Sequence, residues 1–319
     1  MLDNAGVIDE LIGRAAADDD DAIEELTEIA DAEPERLRPY LGRMLDAGVL
    51  WPGTMYRAAG ADVVARVVAL VDAGEEPELI GRCLFVLAHS RHQLAYEAMR
   101  RWMDRPPPGA DLLHVGMPEY AQEGGWTIDP DGSRRELCGD VAHEWQPREA
   151  PAPQFNPECP WCSSPLWTAA DLDGSEPALA HTGWAGRLRF RTCFYCSCYT
   201  TLFSEVTPDG GSTWWAGNTR PSFLQVNSRP EEPPSLLPVV GRARSNPFRA
   251  GAWSAGGSTL GGHPQWIQDA EHPACPGCGL VMNYVGLIGG ADLYEFGEGA
   301  YYLHVHASCG FAAVTYQQS

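Results

Sequence analysis

Residues 301–317 read YYLHVHASCGFAAVTYQ, two short runs rich in aromatic and β-branched residues on either side of His306-Ala-Ser-Cys309. The runs are expected to be strands. His-x-x-Cys has the internal spacing of Cys-x-x-Cys, and CPGC upstream supplies Cys275 and Cys278. Together these four residues match a zinc set of three cysteines and one histidine. His304 shares a strand face with His306 and is an alternative ligand.

CPWC (Cys159, Cys162) and CFYC (Cys193, Cys196) form a second set. Two residues between thiolates let both sulfurs of a knuckle point at one metal, and two knuckles complete a tetrahedron. CFYCSC also offers Cys198, and Cys138 has no near neighbour in sequence, so both stand as alternative ligands. Cys83, inside LIGRCLFVLAH, reads as a small buried hydrophobe. Both sets are filled by protein, which predicts two structural Zn2+ ions in zinc-ribbon-like or knuckle sites. Ten cysteines without a secretory leader favour metal ligation over disulfides.

Outward from these clusters, Arg187, Arg189 and Arg191 alternate with Leu188, Phe190 and Thr192, a half-buried strand with its arginines toward solvent or the acidic remainder of the chain. Further strands are expected near Trp126–Ile128 and in TTLFSEV, STWWAG, SFLQVN and VMNYVG. Regions 147–158 and 228–251, rich in proline and polar residues, read as linkers or long loops. Before the RPPPGA break at 105–110 the chain reads as helical: AIEELTEIA capped by Asp21, a proline-interrupted PERLRPYLGRMLDAG, ADVVARVVALVDAG ending at Gly74, and PELIGRCLFVLAHSRHQLAYEAMRRWM with a break near Ser90. The expected class is α+β. It comprises a HEAT-like helical domain over 1–105, a β-rich domain with the first zinc site over 106–227, and a second β-rich domain with the other site over 228–319.

The 319 residues carry 43 acidic against 22 basic groups, a formal charge of −21, and every basic residue is Arg. Such a charge repels phosphate backbones and suits a basic partner, so no direct nucleic-acid binding is expected. The N-terminus lacks a basic, apolar leader and no long apolar run occurs, so a cytoplasmic protein with no membrane association is expected. Ser133 and His143 are isolated and no catalytic motif assembles. A zinc-dependent hydrolase would need an open site around His304, His306 and Cys309 with Glu295 or Glu298, or Cys198 as nucleophile.

The stretch Thr259–Gln268, TLGGHPQWIQ, followed by CPGCGLVMNYVGLIG, resembles the bacterial YwqG-like family of β-rich proteins. Gly261, Gly262, Pro264, Trp266 and Gln268 match its Gly-Gly-x-Pro-x-Trp-x-Gln signature, and Cys275 and Cys278 its later turn; the resemblance covers about residues 220–319. It implies a β fold and, from the toxin and secretion genes that accompany relatives, an immunity protein. The expected partner is then a basic toxin, such as a nuclease, steered by Asp18, Asp19, Asp20, Asp21, Glu24, Glu25, Glu75, Glu76 and Glu78. A structural or regulatory interaction scaffold is the alternative.

Overall fold

The computed structural model describes residues 4–74, 76–149, 157–224, 232–248, 251–253, 255–295 and 297–318. Two compact units divide the chain, Met1–Arg135 and Glu136–Ser319.

The first unit holds helices α1 (Asn4–Ala15), α2 (Asp20–Ala32), α3 (Leu41–Asp46), α4 (Ala61–Ala73), α5 (Pro77–Ser90) and α6 (Gln93–Asp104). Asp19, not Asp21, caps α2: its extended backbone lets the carboxylate accept from Ala22 N at 3.1 Å, whereas Asp21 already lies in the first turn. Prolines 34 and 39 break the next segment into two 3-10 turns before α3, because proline cannot donate to a helical ladder. Helix α4 buries Val63, Val64, Val67 and Val71 and closes on Gly74, whose φ of 67° is the left-handed conformation glycine adopts freely. The long helical pattern divides at Arg91, φ 50°, giving α5 and α6. Cys83 is buried as expected. Past the proline run, a 3-10 stretch (Met117–Gly124) and a hairpin of β1 (Trp126–Ile128) with β2 (Arg134–Glu136) follow, and Trp126 joins the helical core, donating to Ala88 O at 2.9 Å.

The second unit contains β3 (Ala142–Glu149), β4 (Trp167–Asp173), β5 (Arg187–Thr192), β6 (Leu202–Val206), β7 (Ser212–Trp214), β8 (Leu236–Ala243), β9 (Thr259–Gly261), β10 (Asn283–Gly289), the single turn α7 (Gly290–Leu293), β11 (Ala300–His306) and β12 (Phe311–Gln317). An eight-stranded sheet runs β7-β6-β12-β11-β10-β9-β3-β8, and β4-β5 form a separate pair. The sheet thus draws strands from both sides of residue 228.

Two stretches read as linkers therefore contribute strands: β3 takes in residues 147–149 of the first, and β8 lies inside 228–251. Their prolines hide the pattern yet fit the sheet. Pro147 stands opposite Pro238, and a pair with no N–H on either side belongs to the non-hydrogen-bonded kind. Pro238 therefore puts its missing donor on the outer edge, where it blunts β8 against a further strand. The SFLQVN stretch forms no strand over 222–224, and its remainder lies outside the described residues. Strands β10 and β11 are buried along their whole length. One side of the sheet carries Leu303, Val305, Ala312 and Val314 against Phe190 and Leu188 of β5; the other carries Tyr284, Leu287 and Tyr302 under Trp266.

Candidate metal centres

The first centre is built from a turn and a strand end. Cys159 N donates to Ser164 O (2.8 Å), Ser163 N donates to Cys159 O (2.9 Å), and Glu158 bridges Pro165. This tight turn, with Ser163 at φ 60°, presents Cys159 and Cys162 to one point. Cys193 follows β5 directly, and Cys196 begins a 3-10 turn whose N–H groups bond back onto Cys193. The ligand atoms of Cys159, Cys162, Cys193 and Cys196 all lie within 4.8 Å of one another. Sγ···Sγ separations are 3.8 Å for Cys159–Cys196 and 3.5 Å for Cys162–Cys193. A tetrahedron of thiolates about 2.3 Å from a zinc ion has edges of about 3.8 Å, so the spacing fits a metal.

The sulfurs also perturb one another. Hydrogen bonds from Cys193 and Cys196 hold the Cys159 thiol far below its ordinary value, and the same bonds to Cys159 push Cys193 and Cys196 up. A divalent cation bound among these sulfurs would favour the thiolate form that ligates it.

The second centre repeats the turn. Cys275 N donates to Leu280 O (2.8 Å), Gly279 N donates to Cys275 O (2.8 Å), Ala274 bridges Val281, and Gly279 sits at φ 80° where Ser163 stands in the first. His306 ends β11, and Cys309 lies in the turn to β12, closed by Gly310 N donating to His306 O at 3.0 Å. The ligand atoms of Cys275, Cys278, His306 and Cys309 again fall within 4.8 Å. Cys278 Sγ is 3.7 Å from His306 Nε2 and 3.9 Å from Nδ1. The Cys309 thiol is pushed up to about 11, first by its hydrogen bond with Cys278.

The likeness extends beyond the knuckles. Trp167↔Thr192, Thr168↔Arg191, a bulge, then Ala170↔Phe190 through Asp173↔Arg187 pair β4 with β5. Asn283↔Val305, Tyr284↔His304, a bulge, then Gly286↔Leu303 through Gly289↔Ala300 pair β10 with β11. Counted from the ligands, each register position and the bulge fall at the same place in both hairpins. The β unit therefore holds two copies of one element: knuckle, strand, short helical turn, strand, and second ligand pair. The repeated Cys-Pro-x-Cys was the sequence signal for this; the rest lies in the pairing. The copies differ at one ligand, Cys193 against His306.

The alternative ligands lie elsewhere. Cys138 packs with Tyr284, Leu287 and Tyr302. Cys198 Sγ is 3.5 Å from both Phe194 O and Tyr301 Oη, and burial pushes its thiol up, the opposite of an activated nucleophile. His304 is fully buried, its ring 5.4 Å from that of His272 and parallel to Trp266, and burial with His272 beside it holds it well below the ordinary histidine value, in the neutral form. No carboxylate belongs to either ligand group among the described residues.

The Gly-Gly-x-Pro-x-Trp-x-Gln stretch, Gly261 to Gln268, packs closely in this unit. Gly261 (φ 68°) and Gly262 (φ 69°) have no room for a side chain, since a Cβ would lie 2.4 Å from Val141 O and 2.5 Å from Pro247 O. Further along the same stretch Trp266 stacks on Tyr302, ring centroids 4.5 Å apart.

Of the acidic candidates, Asp18, Asp20, Asp21, Glu24, Glu25, Glu76 and Glu78 are exposed, Asp19 pairs with Arg14 at 2.9 Å, and Glu78 pairs with Arg82 at 2.7 Å. Glu75 lies outside the described residues. Among the described residues, no helix is long and apolar enough to cross a membrane.

No family model matches the chain, and no solved structure matches it. It is similar to the uncharacterized protein YpfL of Salmonella typhimurium, 32% identical over 250 residues that make up 74% of this chain and 58% of the other. The chain thus spans a little over half the length of that relative.

Proposed function

We propose that this chain is a protein-binding module whose β unit is fastened by two structural Zn2+ ions, and that its partner is a basic protein, with the chain serving as an immunity protein against a basic toxin such as a nuclease. The observation that carries the first part is that each ligand group already brings four side chains to zinc spacing, which leaves the metal no position for a reacting water. Thiolate-rich tetrahedral sets of this kind select zinc over harder cations. When bound, the ion supplies cross-linking and charge neutralisation. Cys159, Cys162, Cys193 and Cys196 would hold one ion, and Cys275, Cys278, His306 and Cys309 the other.

The charge of −21 supports the second part, because it accelerates encounter with a cationic surface and opposes direct contact with phosphate backbones. The YwqG-like signature at Gly261–Gln268 supports the immunity reading, and the helix pairs of the first unit, taken as HEAT-like hairpins, would offer the binding face. Metal analysis of protein purified without chelators should give about two zinc ions per chain, one for each four-ligand set. Capture of a basic partner from the native cell, followed by co-expression in which survival depends on direct binding, would support immunity. A stable complex with a harmless protein would favour a scaffold, and turnover of a metabolite with no protein captured would refute both.

A further inference from the structure

The two copies of the metal-binding element expose their equivalent sulfurs very differently. In the first, Cys159, Cys193 and Cys196 are buried and Cys162 is only partly exposed, beneath a small core of Leu166, Leu202 and Leu224 edged by Trp161 and Trp214. In the second, Cys275 and His306 are buried, but Cys278 and Cys309, the counterparts of Cys162 and Cys196, are both exposed. The exposed pair is also close together. Their sulfurs lie within 4.8 Å of each other, and a Cβ on Gly277 would lie 3.0 Å from Phe311 Cε2 and 3.3 Å from Cys309 Cβ, so a side chain there would crowd the knuckle against the β11–β12 turn.

We infer that the histidine-containing centre is an oxidation-labile metal site, opened by hydroperoxides through a Cys278–Cys309 disulfide, while the all-cysteine centre is permanent. The inference rests on the zinc reading above. An exposed thiolate attacks the peroxide O–O bond, giving a sulfenic acid and hydroxide. The second thiolate then attacks that sulfur, forming the S–S bond and expelling a second hydroxide. Two thiolates are oxidised, one hydrogen peroxide is reduced, and zinc leaves as Zn2+ because two of its four ligands are gone. Access decides which centre reacts, since oxidation follows thiolate exposure and the first centre's sulfurs lie under side chains. The consequence is local: loss of the metal unties the 274–281 knuckle from the β11–β12 turn and leaves the first centre intact.

The test uses the full chain loaded with zinc. Hydrogen peroxide is added under a colorimetric zinc chelator, release is followed in time, and disulfides are mapped by mass spectrometry after alkylation. One zinc per chain should leave roughly tenfold or more faster than the other, in step with a Cys278–Cys309 disulfide, as differential thiolate access requires. Two zinc ions released together, release of the first centre's ion first, or fast release with Cys278 and Cys309 still reduced would each overturn the inference while leaving the zinc reading standing. Protein that binds fewer than two zinc ions before any peroxide is added would overturn both.

Discussion

Replacing Cys193 by alanine tests the first centre most directly, because its sulfur is fully buried and 3.5 Å from that of Cys162. Structural zinc contributes about 10–16 kcal/mol in small zinc domains, so an equal division among four ligands assigns about 3 kcal/mol to one thiolate, or roughly a hundredfold in zinc affinity. The surrounding core cannot absorb that loss: its buried aliphatic side chains are Leu166, Leu202 and Leu224. Unfolding should be confined to this element, with hydrogen exchange accelerating over 157–166 and 193–202 and the helical unit unchanged. The assay pairs zinc stoichiometry under a competing chelator just strong enough to leave the wild-type sites filled, expected to fall from about two ions to about one, with peptide-resolved exchange. Trp161 and Trp214, 5.1 Å apart in an edge-to-face contact, should report the same event by fluorescence. Cys198→Ser is the control, since Cys198 contacts Phe194 and Tyr301 rather than the cluster, and should keep both ions. Two zinc ions in Cys193→Ala, with unchanged exchange, would refute the reasoning.

In the helical unit Asp31 and Arg57 form an ion pair with both side chains nearly buried, and burial already lowers the Arg57 pKa. Asp31→Ala should cost about 3–5 kcal/mol by removing the carboxylate paired with that nearly buried guanidinium, measured by chemical denaturation; a loss below about 1 kcal/mol would show the pair to be solvated. Burial pushes Asp171 up, but Arg187 and Arg189 together outweigh it and hold the carboxyl below its usual range. A depressed folded value gives stability above the unfolded pKa of about 3.9 that is lost as pH falls through the folded one. Asp171→Asn should therefore unfold at lower temperature than wild type near neutrality, and the gap should close below about pH 4; a gap constant with pH would contradict this. Trp266→Ala removes the ring stacked on Tyr302 and should cost about 3 kcal/mol, the lower end for a partly exposed tryptophan, without changing zinc content. Loss of the second zinc in that variant would mean that the aromatic cover and the metal centre fold as one.

Much of the candidate site was legible in the chain because a knuckle is a local object. Cys-Pro-x-Cys already sets the direction of two sulfurs, and a second pair with the same spacing completes a tetrahedron. All eight predicted ligands fall into the two groups the structure assembles. Helices α4, α5 and α6 were equally readable, since a 3.6-residue stripe and a left-handed stop such as Gly74 are properties of a short segment. Strands β3 and β8 were not. Their prolines break the local pattern, and what makes them strands is the partner across the ladder. Nor could spacing separate His306 from His304, which share a strand face; the turn that brings Cys309 back beneath β11 selects one and leaves the other buried against Trp266 and His272. The sequence by itself determined the ligand chemistry, the helical first unit and the excess of negative charge, because each is carried by composition or near neighbours. Only the tertiary structure decided that the two candidate metal centres are copies of one hairpin and that one hides its sulfurs while the other exposes two of them, because register and burial depend on residues far apart in the chain.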